Sequence, residues 1–172
     1  MSRADDAIRI GRELVKQNWT PAVLMSSNAG LHEPAYRDAL GKYADYAITF
    51  APFYDPHKPL SKRLHAAQSA LDPHVPLGTL QVFTFEAVLI ALDAFRRAAS
   101  FDPDELAAAV RATDIKDNVT PGPGISFDAK GQNTSLGLIA IQNLRGEARV
   151  VLPQAAAQAQ PILPMPAWRE RG

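Results

Sequence analysis

A chain of 172 residues, 47% of them hydrophobic, is long enough for one domain with a real core or for a piece of something larger, and too apolar to be disordered. Lys and Arg balance Asp and Glu at 18 each, so nothing draws the chain globally to nucleic acid or to an anionic membrane. The absence of cysteine excludes disulfides, thiol catalysis and thiolate metal sites.

The opening "MSRADDAIRI" is polar and helix-like, without the basic start or apolar run of a secretory signal. Ser2 is placed to cap this helix, and Asp5 and Asp6 suit the positive end of its dipole. Ala7, Ile8, Gly11, Leu14 and Val15 recur at helical spacing. Pro21 disfavours helix at Thr20 and ends the element. "AVLMSS" reads as a short buried strand, "NAGLHEP" as a loop, and Pro34 to Leu40 as a short helix closed by Gly41. "DYAITFAP" is a second strand. Helix, strand, helix, strand predicts a parallel sheet with helical crossovers.

The rhythm then changes. Leu60 to Leu71 and Thr79 to Ala98 are predicted helices, separated by the break "DPHVPLG". The longer one carries two apolar stripes: Phe83, Ala87, Ile90 and Ala94, and Phe85, Val88, Leu92 and Phe95. It therefore expects cover on more than one side. Its apolar core from Val82 to Phe95 is interrupted by Thr84, Glu86 and Asp93, and is too short and charged to insert in a membrane. Asp102, Pro103 and Glu105 form the N-cap, first position and capping box of a third helix. After "NVTPGPG", the segments "ISFD", "LGLIAIQNL" and "ARVVLP" predict an antiparallel meander. The Ala-, Gln- and Pro-rich tail from residue 156 looks extended at its end. Three middle helices thus offer more apolar surface than they can cover, and no complete sheet is encoded for them to lie on.

Each candidate site has a bland counterpart. "FDAKGQN" has no late Glu for a calcium loop, and Lys130 would oppose a cation; a turn held by Asp128 and Gly131 fits better. His32, His57, His65 and His74 lack metal-binding spacing. "PGPG" lacks the helix that follows a phosphate cradle, and no serine sits in a GxSxG elbow. Glu86 and Asp93 share a helix face and read as a solvated stripe. The loop "SSNAGL" offers more, because it leaves the C-terminal end of a predicted parallel strand, where α/β folds place their ligands. Ser27 and Asn28 bring a hydroxyl and an amide, and Gly30 leaves its backbone approachable; an ordinary polar loop fits these residues equally well. The start of the long helix, near Leu80 and Phe83, is a weaker candidate with its free N–H groups.

"GPGISFDAKGQNTSLGLIAIQNLRGEARVVLP" resembles the C-terminal end of the branched-chain amino acid and amide substrate-binding proteins of ABC transporters, the Leu/Ile/Val-binding type. "PILPMPAW" matches an ending found in one branch. "FTFEAVLIALDAFRRA" is similar to a family helix that usually opens Tyr-Asp-Ala, and "ELVKQNWTPAVLMSSNAG" to its helix, strand and ligand-loop unit. The resemblance covers nearly the whole chain in the right order. It implies an α/β fold of the type I periplasmic binding proteins, here partial: two lobes joined by three crossing strands, with a small solute trapped between them. Residues 1–52 would belong to the C-terminal lobe, 53–120 to the N-terminal lobe, 121–155 to the C-terminal lobe again, and 156–172 to a tail. The rest of the N-terminal lobe would lie before Met1, which makes this chain roughly the C-terminal half. The implied function is solute capture for an importer, with a permease as partner, periplasmic location and no cofactor or catalysis. Ser27, Asn28 and Gly30 are the expected ligand contacts, with Leu80 and Phe83 behind them. Leu/Ile/Val binders carry a Glu in this loop to pair with the ligand ammonium. Neutral Asn28 stands here instead, which points to an amide, a urea-like compound or a carboxylate, or to a charge supplied from elsewhere. The competing reading is a self-sufficient α/β enzyme or ligand-sensing regulatory domain that completes its sheet by dimerising.

Overall fold

The structure is a computed structural model and describes residues 4–171. In chain order it contains α1 (Ala4–Lys16), β1 (Met25–Ser26), α2 (Pro34–Leu40), β2 (Ile48–Ala51), α3 (Pro59–Leu71), α4 (Thr79–Arg97), α5 (Pro103–Arg111), β3 (Asp114–Ile115), β4 (Ile125–Ser126), β5 (Ile139–Leu144) and β6 (Glu147–Leu152). Every predicted helix is present. Ser2, the expected cap of α1, lies outside the described residues. Two compact units result: Met1–Ala51 with Leu138–Gly172, and Pro52–Gly137.

The first unit is built on a four-stranded sheet of order β1-β2-β5-β6. β1 and β2 are parallel, with Ser26 beside Thr49, as the helix–strand rhythm predicts. β5 then adds antiparallel to β2, with Ile48 opposite Gln142, and β6 adds antiparallel to β5. β5 is central, and five of its six residues are buried, the polar Gln142 and Asn143 among them. α1 buries Ala7 and Gly11 against Tyr36 and Leu40 of α2. A Cβ on Gly11 would stand 2.6 Å from Leu40 Cδ1 and 3.3 Å from the Tyr36 hydroxyl, so a larger residue there would require those side chains to move.

The tail is anchored along its length. Gln142 Nε2 donates to the Ile162 carbonyl, and Gln142 Oε1 accepts from Ile162 N. Met165 N donates to the Ala22 carbonyl, and Trp168 Nε1 to the Trp19 carbonyl. Arg171 donates to the carbonyls of Tyr43, Asp45 and Pro166, with its guanidinium 3.9 Å from the Trp168 ring centroid. Met165, Trp168 and Arg171 are buried; the composition of the tail concealed these apolar and cation–π contacts.

The second unit holds α3, α4, α5 and a two-stranded ribbon of β3 and β4, with Ile115 opposite Ile125. The predicted three-strand meander does not form. β4 pairs with β3, Ile125 is buried in this unit, and the chain then doubles back through a Phe127–Asn133 bridge. Gly137 N ends the return on the Pro121 carbonyl, so residues 121–137 remain in the second unit and only those from 138 join the first. The "DAKGQN" segment is a bend. Asp128 Oδ1 accepts from Lys130 N and Gln132 N, and Gly131 turns at a φ of 77°. On α5, Asp102 Oδ1 caps Asp104 N and Glu105 N as expected; Ser100 Oγ, not Glu105, takes the Asp102 N–H.

α4 departs most from its sequence reading. Its buried residues are Val82, Glu86 and Ala94, so Glu86 is not part of a solvated stripe. The Glu86 carboxylate accepts from Val119 N at 3.1 Å, Thr120 N at 2.8 Å, Thr120 Oγ1 at 2.9 Å and Asn118 Nδ2 at 3.3 Å. Lys58 Nζ joins from the other side, donating to Asn118 Oδ1 and to the Gly122 carbonyl. Burial lowers the Lys58 pKa, while Asp55 and Glu86 work against that shift. Asp93, on the same helix, instead binds Arg97. The outer face of α4 is uncovered: Leu80, Phe83, Val88, Leu92 and Phe95 are all exposed.

Glu86→Ala would leave Val119 N, Thr120 N and the Thr120 hydroxyl without this acceptor, while Asn118 Nδ2 keeps its bonds to Thr120, at a cost of roughly 1–3 kcal/mol for each group left unsatisfied. We expect denaturant unfolding of the second unit to shift by at least about 2 kcal/mol, with faster hydrogen exchange at Val119 and Thr120. Unchanged exchange at those two amides would contradict the arrangement.

Candidate functional site

The loop from Ser26 to Leu31 begins where β1 ends and is fixed at both ends. At its start, Ser26 pairs with Thr49 of β2, and Ser26 Oγ accepts the Asn28 N–H at 3.0 Å. At its close, residues Ala29–Leu31 make one 3₁₀ turn, in which the Ala29 carbonyl accepts the His32 N–H at 3.0 Å. Asn28 precedes this turn in an extended conformation, and its side chain makes no capping bond. Ser27 is exposed, Asn28 half-buried, and Gly30 and Leu31 buried. Ser27, Asn28 and Gly30 are thus held on one short segment, with a hydroxyl and a carboxamide left to present to a ligand.

The support beneath the loop comes from residues that sequence reading passed over. Asn143 of β5, with no exposed surface, donates from Nδ2 to the Leu31 carbonyl at 2.7 Å and the Ala44 carbonyl at 3.0 Å. Arg37 of α2 donates to the His32 carbonyl and, at 3.1 Å, to the Gly146 carbonyl. One signal was available: two adjacent carboxamides, Gln142 and Asn143, interrupt an otherwise apolar strand, and buried carboxamides require partners.

The loop carries no formal charge. His32, just beyond it, is buried, and its pKa falls to about 4, first through desolvation and then through the Arg37 charge. His32 is therefore neutral at pH 7. The first acidic residue after Asn28 is Glu33, which precedes α2 as its N-cap. The loop can hydrogen-bond a polar solute but offers no carboxylate of its own to an ammonium group.

Leu80 and Phe83 lie in the second unit, on the first turns of α4, and are 76% and 41% exposed. The Gly78 N–H at the start of that helix is already taken by Gln81 Oε1 at 3.2 Å, so fewer N–H groups are open there than the sequence suggested. Among the described residues, no group of three or more His, Asp or Glu side chains could hold a metal ion. No helix among them is long and apolar enough to cross a membrane.

No protein-family model and no curated protein matches the sequence. Solved structures do match. A leucine-binding protein from Thermotoga maritima aligns with a TM-score of 0.73 at 16% identity, over 87% of this chain and 41% of its own. A putative branched-chain amino acid ABC transporter protein from Rhodospirillum rubrum aligns at 0.66 and 22% identity, over 87% of this chain and 42% of its own. A type 1 periplasmic binding protein from Bordetella pertussis aligns at 0.69 and 15% identity, over 87% of this chain and 44% of its own. At these identities the likeness is one of fold. The chain has part of the type I periplasmic binding protein fold and spans less than half the length of these structures.

Because the fold lowers the His32 pKa below its ordinary 6.5, the unfolded chain takes up that proton first on acidification. We expect the first unit to lose stability as pH falls from about 6.5 to about 4. His32→Gln should flatten that part of the profile, and the His32 ring should titrate near 4 by NMR. A His32 midpoint above 6 would contradict the buried placement.

Proposed function

We propose that this chain is part of the solute-binding component of an ABC importer, taking an amino acid, an amide or a small carboxylate. The observation that carries this reading is the neutral loop Ser26–Leu31, held at the end of a parallel strand in a fold shared with a solved leucine-binding protein. Strand ends of this kind are where α/β sheets bind ligands. Ser27, Asn28 and the Gly30 backbone are the proposed contacts, with Leu80 and Phe83 as further ones. They would act by desolvated hydrogen bonding and apolar cover, without covalent chemistry. With no carboxylate in the loop, an α-ammonium would go unpaired on this side, which is costly once buried. A neutral amide avoids that cost, and a carboxylate would need its charge met by hydrogen-bond donors such as the Ser27 hydroxyl and the Asn28 amide.

We infer that the working protein is about twice this length, with the familiar partners of such a fold: a permease, and the periplasm as its compartment. Two observations support this. The matching solved structures are more than twice as long as the parts this chain covers. Beyond the first turns that carry Leu80 and Phe83, the face of α4 at Val88, Leu92 and Phe95 is apolar and uncovered, as expected of a helix that packs on a sheet.

The test is a thermal-shift screen of amino acids, amides and small carboxylates on the protein with both lobes complete. An amide or carboxylate should raise the melting temperature, and Asn28→Ala should weaken its binding tenfold or more, about 1.4 kcal/mol. A screen without a hit, or a hit indifferent to Ser27 and Asn28, would sink the reading. The chain alone should bind poorly and self-associate with rising concentration in light-scattering chromatography; micromolar binding by a stable monomer would contradict the half-protein inference.

A further inference from the structure

We propose that Asn143 is the positioning residue of the solute loop, and that the adjacent Gln142 does the same for the tail by an independent contact; the solute role of the loop rests on the function proposed above. Successive side chains of a strand point to opposite faces of the sheet. On β5 the two carboxamides accordingly reach different segments. Asn143 Nδ2 bonds the carbonyls of Leu31 and Ala44, which lie 112 and 99 residues away in sequence. Gln142 bonds the Tyr46 carbonyl and both backbone groups of Ile162. Neither side chain has exposed surface.

The geometry separates positioning from simple stabilisation. Asn143 Oδ1 is buried without a hydrogen-bond partner among the described residues, so the side chain gives up part of its bonding to hold its two carbonyls. Leucine has nearly the same shape. Asn143→Leu removes the unpartnered oxygen together with the two donated bonds, so the losses and gains in stability offset each other in part. What it cannot replace is the pull on the Leu31 carbonyl. The segment before it, Ser27 to Gly30, would then lose its tie to β5 and keep its local bonds, Asn28 N to Ser26 Oγ and His32 N to the Ala29 carbonyl, beside the Arg37 bond to the His32 carbonyl and the buried Leu31 side chain. Local bonds of that kind open readily when long-range contacts are lost.

Gln142→Met is the matched control, because it removes an equally buried carboxamide from the next position. Hydrogen exchange on the full chain provides the readout. Asn143→Leu should speed exchange of the Asn28 and His32 amides at least tenfold while leaving those of Ile162 and Met165 near their original rates. Gln142→Met should do the reverse. Identical changes in both variants, or an undisturbed loop in Asn143→Leu, would overturn the proposal. Should Asn143→Leu fail to fold, the unmutated chain still decides: NMR should detect a coupling through the hydrogen bond between Asn143 Nδ2 and the Leu31 carbonyl carbon, and its absence would overturn the assignment. These measurements need no solute. A failed solute screen would leave the anchoring intact, and a failed exchange pattern would leave the solute reading intact.

Discussion

Helix α4 meets two opposed demands along one length. One side buries a carboxylate, Glu86, and must supply it with hydrogen bonds. It does so by gathering the backbone of Val119 and Thr120 and the side chains of Asn118 and Thr120. The other side carries Leu80, Phe83, Val88, Leu92 and Phe95 into the open. Fully burying a side chain of this size is worth roughly 1.5–3 kcal/mol. The five are 41–76% exposed, so covering them fully would add on the order of 4–8 kcal/mol together, a large share of the roughly 5–15 kcal/mol that stabilises an ordinary domain. The ribbon of β3 and β4, two residues in each strand, is too small to cover that face. The second unit thus has its polar lock in place and lacks a surface for its apolar face.

The first unit solves the same kind of problem with its own residues. Its helices α1 and α2 pack against each other through Ala7, Gly11, Tyr36 and Leu40, and its sheet has a core of its own at Ile48, Ala140 and Val151. β5 at its centre is both the apolar core strand and the place where two distant segments are tied down by side-chain amides. The loop that follows β1 is consequently fixed from below, while its upper residues, Ser27 and Asn28, keep their side chains for other use. A rigid support beneath a short polar loop is what a recognition site requires.

How much of this was legible depended on distance along the chain. Helices followed from periodicity, proline and glycine, all local signals, and the parallel pairing of β1 with β2 followed from their alternation with helices, although "AVLMSS" forms only two strand residues and exposes Met25 instead of burying it. The loop Ser26–Leu31 was likewise visible, because it directly follows a strand. Contacts between distant residues were not. Glu86 and Asp93 sit seven apart and look alike on a helical wheel, yet one meets a segment more than thirty residues downstream and is buried, whereas the other meets Arg97 one turn away. The strand "ISFD" resembled its successors in composition but paired backwards with Asp114 and Ile115. Arg171 and Trp168 gave no sign in a Pro-rich tail that they would stack on each other and hold the carbonyls of Tyr43 and Asp45. The Gln142–Asn143 pair was the one long-range feature with a local sign.

The account turns on the uncovered face of α4. Carbene footprinting of the chain, at a dilution where it is monomeric, tests that face directly. Leu80, Leu92 and Phe95 should label heavily while Val82 and Ala94 stay protected, and in the longer protein proposed above Leu92 and Phe95 should become protected as well. Protection of Leu92 and Phe95 in the lone monomer would mean that the chain covers its own helices, and the account of an incomplete fold would be wrong.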